Sequence, residues 1–341
     1  MQGFHYPGGG AQTMSIGFAI WREPGAEPVG IQGEFLYSDI SNFTLQDGFV
    51  FRPWNEEAQC YSVHGNRVTD IELLCSWVNA YKPLRSADIS VMNRNEWEEY
   101  IGHIQSEISV GNVQKVVAAR HSIRETDAPL FDAFKTACRR YEDAFVSIVY
   151  HPQFGIWMGA TPEILIQPEG ADWKTVSMAG TLLDEHADWT GKEREENTAT
   201  QHFLEQMLEK MGARILESGQ AAAVRAGTLR HLVKQYVFTL ANTQIQQLIA
   251  ELHPTPAVGG LPREKALSII AAHEKQSRNL FAGYIGFYRN GKPHLWVNLR
   301  CCEWRGSDAV LYAGAGINTF SNADLEWEET AAKMQTIAVC L

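Results

Sequence analysis

The sequence predicts an α+β fold built on large antiparallel sheets, and three observations carry that expectation. Strand-like runs follow one another across short turns at 147–150, 156–159 and 164–167, and again at 284–288, 294–299 and 309–312. Helical spacing appears in separate blocks, so strands and helices do not alternate strictly. The 341 residues are 45% hydrophobic and 20% charged, without repeats, low-complexity tracts or long linkers, which suits one globular domain over 1–341.

Within that domain, residues 1–110 form a divergent N-terminal part with scattered Gly, Pro and Trp, where Phe49-Val50-Phe51 is a short strand-like run. The pattern sharpens over 110–335, the motif-bearing core. A β-branched run predicts a strand over 113–123. Helices are expected at 130–141, 198–216 and 243–252. Another begins near Pro262, a favoured first-turn residue, and carries Ala266 to His273. The last helix is expected after Ser321, which with Asp324 has the form of a capping box, and to run to about residue 338.

Formal charge is −11, from 40 acidic and 29 basic residues. That balance argues against nucleic acid or an anionic membrane as partner, yet allows an anionic small molecule, because a pocket can gather a few cations on an acidic protein. No apolar run approaches the ~20 residues of a membrane span. The N-terminal Met1 to His5 lack the basic start of a signal peptide. Six cysteines show no CxxC or zinc spacing and read as reduced thiols, so a cytoplasmic protein is expected, with a monomer preferred.

Several residues carry chemistry. Glu326, Glu329 and Lys333 fall at i, i+3 and i+7 and would share one helix face. Glu193 and Glu196 repeat the i, i+3 spacing ahead of an apolar helix. Two such pairs could converge on a hard cation with oxygen ligands, of the Mg²⁺ kind; the simpler reading is two solvated faces. The loop from Leu252 and His253 to Gly260 holds two prolines and two glycines, which makes it rigid and lets backbone approach a ligand. Lys115 lies in an apolar strand, where an inward lysine is costly unless paired or neutral; alone, it reads as facing water. Glu163, after Thr161-Pro162, opens a strand. Gly314-Ala-Gly316 does not complete GxGxxG, and no GxSxG or HExxH occurs.

Taken in order, Lys115-Val-Val-Ala-Ala-Arg120, Thr161-Pro-Glu163, Ala179-Gly-Thr181, Lys192-Glu-Arg-Glu-Glu196, the 252–260 loop, Phe281-Ala-Gly283, Arg300, Tyr312 to Ile317 and Glu326 to Lys333 resemble the chorismate-utilising enzymes. The resemblance covers about two thirds of the chain and displaces the simpler readings. It implies two packed α/β halves with large antiparallel sheets and the active site between them. It implies Mg²⁺ held by Glu196 and Glu329, with Glu193 and Glu326 flanking. Backbone at Gly180 and Thr181 would take the ring carboxylate, and Arg300, Lys333 and the amide of Gly314 the enolpyruvyl carboxylate. His253 would belong to the substrate-binding loop.

Within the family, Ala179 stands where aminodeoxychorismate synthases carry a nucleophilic lysine, and Lys115 where anthranilate synthases have glutamine. Water is therefore the implied nucleophile, and the 253–260 loop resembles that of isochorismate synthases, which serve menaquinone or siderophore biosynthesis. Lys115 would act as general base and Glu163 as general acid, in opposite protonation states. The alternatives are a salicylate synthase and a non-catalytic chorismate-binding protein. Two positions depart from the pattern: Asn197 replaces a histidine expected to support the metal shell, and Phe281 replaces a tyrosine.

Overall fold

The computed structural model describes residues 16–38, 46–54, 59–81, 89–183 and 186–341. The N-terminal residues 1–5, read above for targeting, lie outside the described residues. The chain first forms β1 (Ile16–Arg22), β2 (Val29–Ser38), β3 (Gly48–Arg52), β4 (Cys60–Val63), α1 (Ile71–Ala80) and α2 (Arg94–Ser109). Next come β5 (Lys115–Glu125), α3 (Leu130–Arg140), β6 (Phe145–His151), β7 (Gly155–Thr161), β8 (Ile164–Glu169), β9 (Asp172–Leu182) and α4 (Gly191–Lys210). Then follow β10 (Arg214–Ser218), β11 (Ala222–Ala226), β12 (Leu229–Thr239), α5 (Ile245–Leu252), β13 (Gly260–Leu261) and α6 (Arg263–His273). The chain ends with β14 (Tyr284–Arg289), β15 (Lys292–Val297), β16 (Cys301–Trp304), β17 (Asp308–Ile317) and α7 (Ala323–Ala338).

The fold is α+β, and the strands pair antiparallel throughout the described residues. One sheet runs β2-β1-β6-β7-β16-β17-β5-β13. A second runs β2-β4-β3-β14-β15-β8, and a third continues β8-β9-β12, with β10 and β11 along the far edge of β12. Strands β2 and β8 each pass from one sheet into the next, so the layers are continuous.

Two-residue periodicity sorts the strand side chains between cores. Trp21, Phe145 and Trp157 point into a core shared with Phe49, Phe51, Phe287 and Trp296 of the second sheet. Their neighbours Ile20, Val146, Ile156 and Met158 face the opposite way, against Leu74 and Val78 of α1, Phe131 and Phe134 of α3 and Met334 and Ile337 of α7. Both faces of the first sheet are covered, which is why its strands read as continuous apolar runs rather than alternating ones.

The sequence and the structure differ in several elements. The helix expected over 198–216 runs from Gly191 to Lys210, because Thr190 and Glu193 form a capping box ahead of its polar first turns. Residues 214–218 instead extend as β10 along β12. The cap of α7 is Asn322, whose side chain accepts from the amides of Asp324 and Leu325, while the Ser321 hydroxyl contacts Gly316 O and Asn318 N. Pro262 is the cap just before α6 rather than its first-turn residue. Finally, β9, β11, β12 and β16 have no counterpart among the expected strands, and β17 runs on through Gly314 to Ile317, so the Gly-Ala-Gly segment lies within a strand.

Candidate active site

β5 and β17 form the floor of a cavity of about 700 Å³, part of it open to solvent. Lys115 and Val117 from β5, and Tyr312, Gly314 and Gly316 from β17, line it. Val116, Ala118, Ala315 and Ile317 point away and pack with α2 and α6. Lys115 is therefore buried at the cavity wall, not turned to water. Its ammonium lies 3.7 Å from Glu196 Oε2. A methyl group on Gly316 would sit 2.7 Å from Lys115 Cε and 2.9 Å from the Glu196 carboxyl, so glycine there makes room for that pair.

The opposite wall comes from β9. Gly180 is an extra residue in the β9–β12 ladder, a bulge with φ +79° that turns Gly180 and Thr181 toward the cavity. Thr181 and Gly180 O both lie near His231 Nδ1, and Arg300 donates to His231 Nε2 at 2.8 Å. Burial first, then the Arg300 charge, push His231 down to about 3, so it is a neutral acceptor toward Arg300 with its proton on Nδ1. Arg300 is held at φ +50°, a conformation costing on the order of 1–3 kcal/mol for a residue with a side chain. Further bonds to Thr336 Oγ1 and Lys333 O secure it. Burial lowers Arg300 to about 10, which leaves it a cation at neutral pH.

The third wall is acidic. α4 supplies Glu196, and α7 supplies Glu326 and Glu329 from one face, with Lys333 a turn further on. Lys333 Nζ lies 2.6 Å from Glu329 Oε1 and donates to Gly314 O at 2.8 Å. Lys192 Nζ stands among the carboxylates: 2.8 Å from Glu326 Oε1, 3.1 Å from Glu329 Oε2 and 3.8 Å from Glu196 Oε1. Burial alone would lower Lys192, but Glu329, Glu196 and Glu326 outweigh it and hold the ammonium above its ordinary range. Burial and the adjacent Glu329 raise Glu326; Glu329 is drawn down against its own burial by Lys333 and Lys192. α7 is docked by Arg120, whose Nε donates to Thr330 Oγ1 at 2.7 Å and whose guanidinium lies 3.6 Å over the Trp327 ring.

Glu163 closes the cavity from the turn between β7 and β8. Burial raises its carboxyl to about 8, against the lowering pull of Lys115, Lys333 and Arg300. Burial likewise lowers Lys115 from 10.5, opposed by Glu196 and assisted by Lys333 and Lys192. The site thus holds an acid that keeps its proton at neutral pH near an amine driven toward its free form.

Two residues expected here lie elsewhere. Glu193 turns back to accept from Thr190 N at 2.9 Å and from Thr190 Oγ1, so its carboxylate serves the helix cap rather than the acidic cluster. His253 is buried between Trp54 and Tyr284, with neither ring nitrogen hydrogen-bonded among the described residues; Ala257 and Val258 of its loop line the cavity instead. Asn197 donates to Leu232 O at 2.9 Å and Ala179 O at 3.3 Å, tying α4 to the bulge instead of facing the cluster. Phe281 lines the cavity and stacks on Tyr312. The sequence reading assigned no role to Gly316, His231 or Lys192. A histidine inside the apolar run of β12 and a lysine at the acidic start of α4 were the available signals.

Carboxylate oxygens are the donors that Mg²⁺ takes, and Glu196 Oε1 is buried with no hydrogen-bond partner among the described residues. Glu196, Glu326 and Glu329 fit such an ion by chemistry. With Lys192 among them, no three acidic, His or Cys side chains of the described residues form a ready cage.

The fold and the cavity bring buried cations and carboxylates together in a pocket of small-molecule size. Residues 59–341 match the family described as chorismate binding enzyme, and the chain belongs to that family. It is 28% identical over 276 residues to isochorismate synthase EntC of Escherichia coli (strain K12), covering 74% of this chain and 70% of EntC. Among solved structures, a Bacillus anthracis protein described as the 2,3-dihydroxybenzoate-specific isochorismate synthase DhbC superposes with a TM-score of 0.78. That match is 18% identical and covers 94% of this chain and 95% of DhbC. Anthranilate synthase component I from Streptococcus pneumoniae follows the same fold, with a TM-score of 0.70 at 17% identity over 99% of this chain and 95% of that one.

Gly316→Ala should displace the Lys115–Glu196 pair and lower turnover at least ~10²-fold, the scale of a lost general base. The melting temperature should move by only a few degrees. Unchanged turnover in a folded Gly316→Ala protein would show that the close approach of Lys115 and Glu196 is not needed.

Proposed function

We propose that the protein is an isochorismate synthase, interconverting chorismate and isochorismate by adding water at ring carbon 2 and releasing the hydroxyl from carbon 4. The observation that carries this reading is the pairing, in one cavity, of a lysine and a glutamate that burial drives toward their uncharged forms. Ala179 lines the same cavity where aminodeoxychorismate synthases carry a nucleophilic lysine, and the resemblance, with Lys115 in place of glutamine, implies water as the nucleophile. The match to isochorismate synthase EntC supports the same choice.

Lys115, as the free amine, takes a proton from the attacking water, and the ring double bonds shift. Glu163, still protonated at neutral pH, gives its proton to the departing hydroxyl. Arg300 and Lys333 hold the enolpyruvyl carboxylate, and backbone at Gly180 and Thr181 receives the ring carboxylate. His231 keeps the Arg300 guanidinium aimed. Mg²⁺, held by Glu196, Glu326 and Glu329, would offset the substrate's negative charge and orient its ring carboxylate. The small net change, one hydroxyl position for another, makes the reaction reversible.

Incubation with chorismate and Mg²⁺ should yield isochorismate alone on chromatography, and isochorismate should return chorismate. Stoichiometric pyruvate release would make the protein a salicylate synthase, and no conversion would leave it a binding protein.

Rate should rise with pH as Lys115 loses its proton, below the ordinary lysine value of 10.5, and fall as Glu163 ionises near 8. Glu163→Gln should lose ~10²- to 10⁴-fold in turnover. It should also stabilise the fold at alkaline pH. Because the folded carboxyl titrates near 8 and the unfolded one near 4.5, the wild type loses stability as pH rises between those values, and glutamine does not. A Glu163→Gln melting temperature below that of wild type at pH 9 would contradict the buried, protonated acid.

A further inference from the structure

Three lysines face the acidic wall, and they differ in their freedom to leave it. Lys115 is enclosed at the base of β5, with a side chain 4% exposed. Lys333 is tied both to Glu329 and to the Gly314 carbonyl. Among the described residues the Lys192 ammonium hydrogen-bonds only to the carboxylates Glu326 and Glu329, with a longer ion pair to Glu196, and no backbone carbonyl holds it.

Its one local partner is Glu196, a turn along α4, in a long ion pair of 3.8 Å. Lys192 is the second residue of α4, where the helix dipole disfavours a positive charge. Both of its short contacts are to α7, 134 and 137 residues away along the chain. The ammonium leaves the cluster incompletely satisfied, since Glu196 Oε1 is 3.8 Å away and has no hydrogen bond among the described residues.

We propose that Lys192 is a built-in counter-cation that stands where a divalent ion binds, so that the ammonium and the ion exclude one another at Glu196, Glu326 and Glu329. The inference rests on the Mg²⁺ reading above and deepens it. Without the ion, Lys192 holds α4 and α7 together across three buried carboxylates. When the ion enters, it takes the carboxylate oxygens that the ammonium now holds, and the flexible lysine stem swings its ammonium away from them. Lys192 is thus a positioning residue that sets the concentration of divalent ion at which the site loads.

The test uses the full chain with Mn²⁺ alone as the probe, free ion being read by electron paramagnetic resonance. Lys192→Met should bind Mn²⁺ at least ~5-fold more tightly than wild type, the low end of ordinary coupling between linked sites. Its ion-free melting temperature should fall and recover on adding Mn²⁺. A second measurement on the wild type stands even if Lys192→Met does not fold. Acetylation of Lys192 by an amine-reactive ester, read by mass spectrometry, should rise several-fold as Mg²⁺ or Mn²⁺ is added, while Lys333 should not respond. Equal or weaker Mn²⁺ binding by Lys192→Met, or Lys192 labelling that stays flat or falls as the ion binds, would overturn the exclusion and leave the metal reading intact. No Mn²⁺ binding by either protein would overturn the metal reading and the exclusion with it.

Discussion

Eight ionisable side chains surround one cavity, and their mutual compensation is the constraint on which the rest of the site depends. Lys115, Glu163, Glu196, Arg300 and Lys333 line it, Lys192, Glu326 and Glu329 adjoin Glu196 and Lys333, and all but the half-buried Lys192 and Lys333 are buried. An isolated charge in such a place costs several kcal/mol, so the set is tolerable only because the signs match. Moving Lys115 to its amine and Glu163 to its acid removes one charge of each sign and preserves the balance.

The sheets hold this balance in register. Antiparallel pairing of β5 with β17 sets Gly316 opposite Val117, two residues along from Lys115, and the missing side chain there makes room for the lysine. The bulge at Gly180 turns the β9 backbone inward, and Asn197 and His231 brace it from α4 and β12. Arg120 fixes α7, and with it two of the three clustered carboxylates. Rigid elements thus carry nearly all of the chemistry, which limits the reorganisation needed at each turnover.

Much of this was legible in the sequence where a local rule governs. The i, i+3 and i+7 spacing of Glu326, Glu329 and Lys333 predicts a shared face, and the three do share one wall of the site. Successive strands predicted the α+β class. The failures are places where tertiary context decided. Glu193 has the same spacing from Glu196, but the free N-terminus of α4 recruits it as a cap. His253 sits in a loop whose composition suggests ligand contact, yet the ring is drawn into an aromatic core. Lys192 and Glu326 meet only through the tertiary fold, 134 residues apart along the chain, and no pattern within either segment announces that contact.

The central claim is that one cavity holds Glu163 protonated at neutral pH beside a lysine pushed toward its amine. Nuclear magnetic resonance of the protein with ¹³C-labelled glutamate carboxyls reads this directly, the Glu163 signal being assigned by its loss in Glu163→Gln. The account predicts that this signal titrates near 8 in the substrate-free protein. A Glu163 carboxyl already ionised at pH 6 would contradict it.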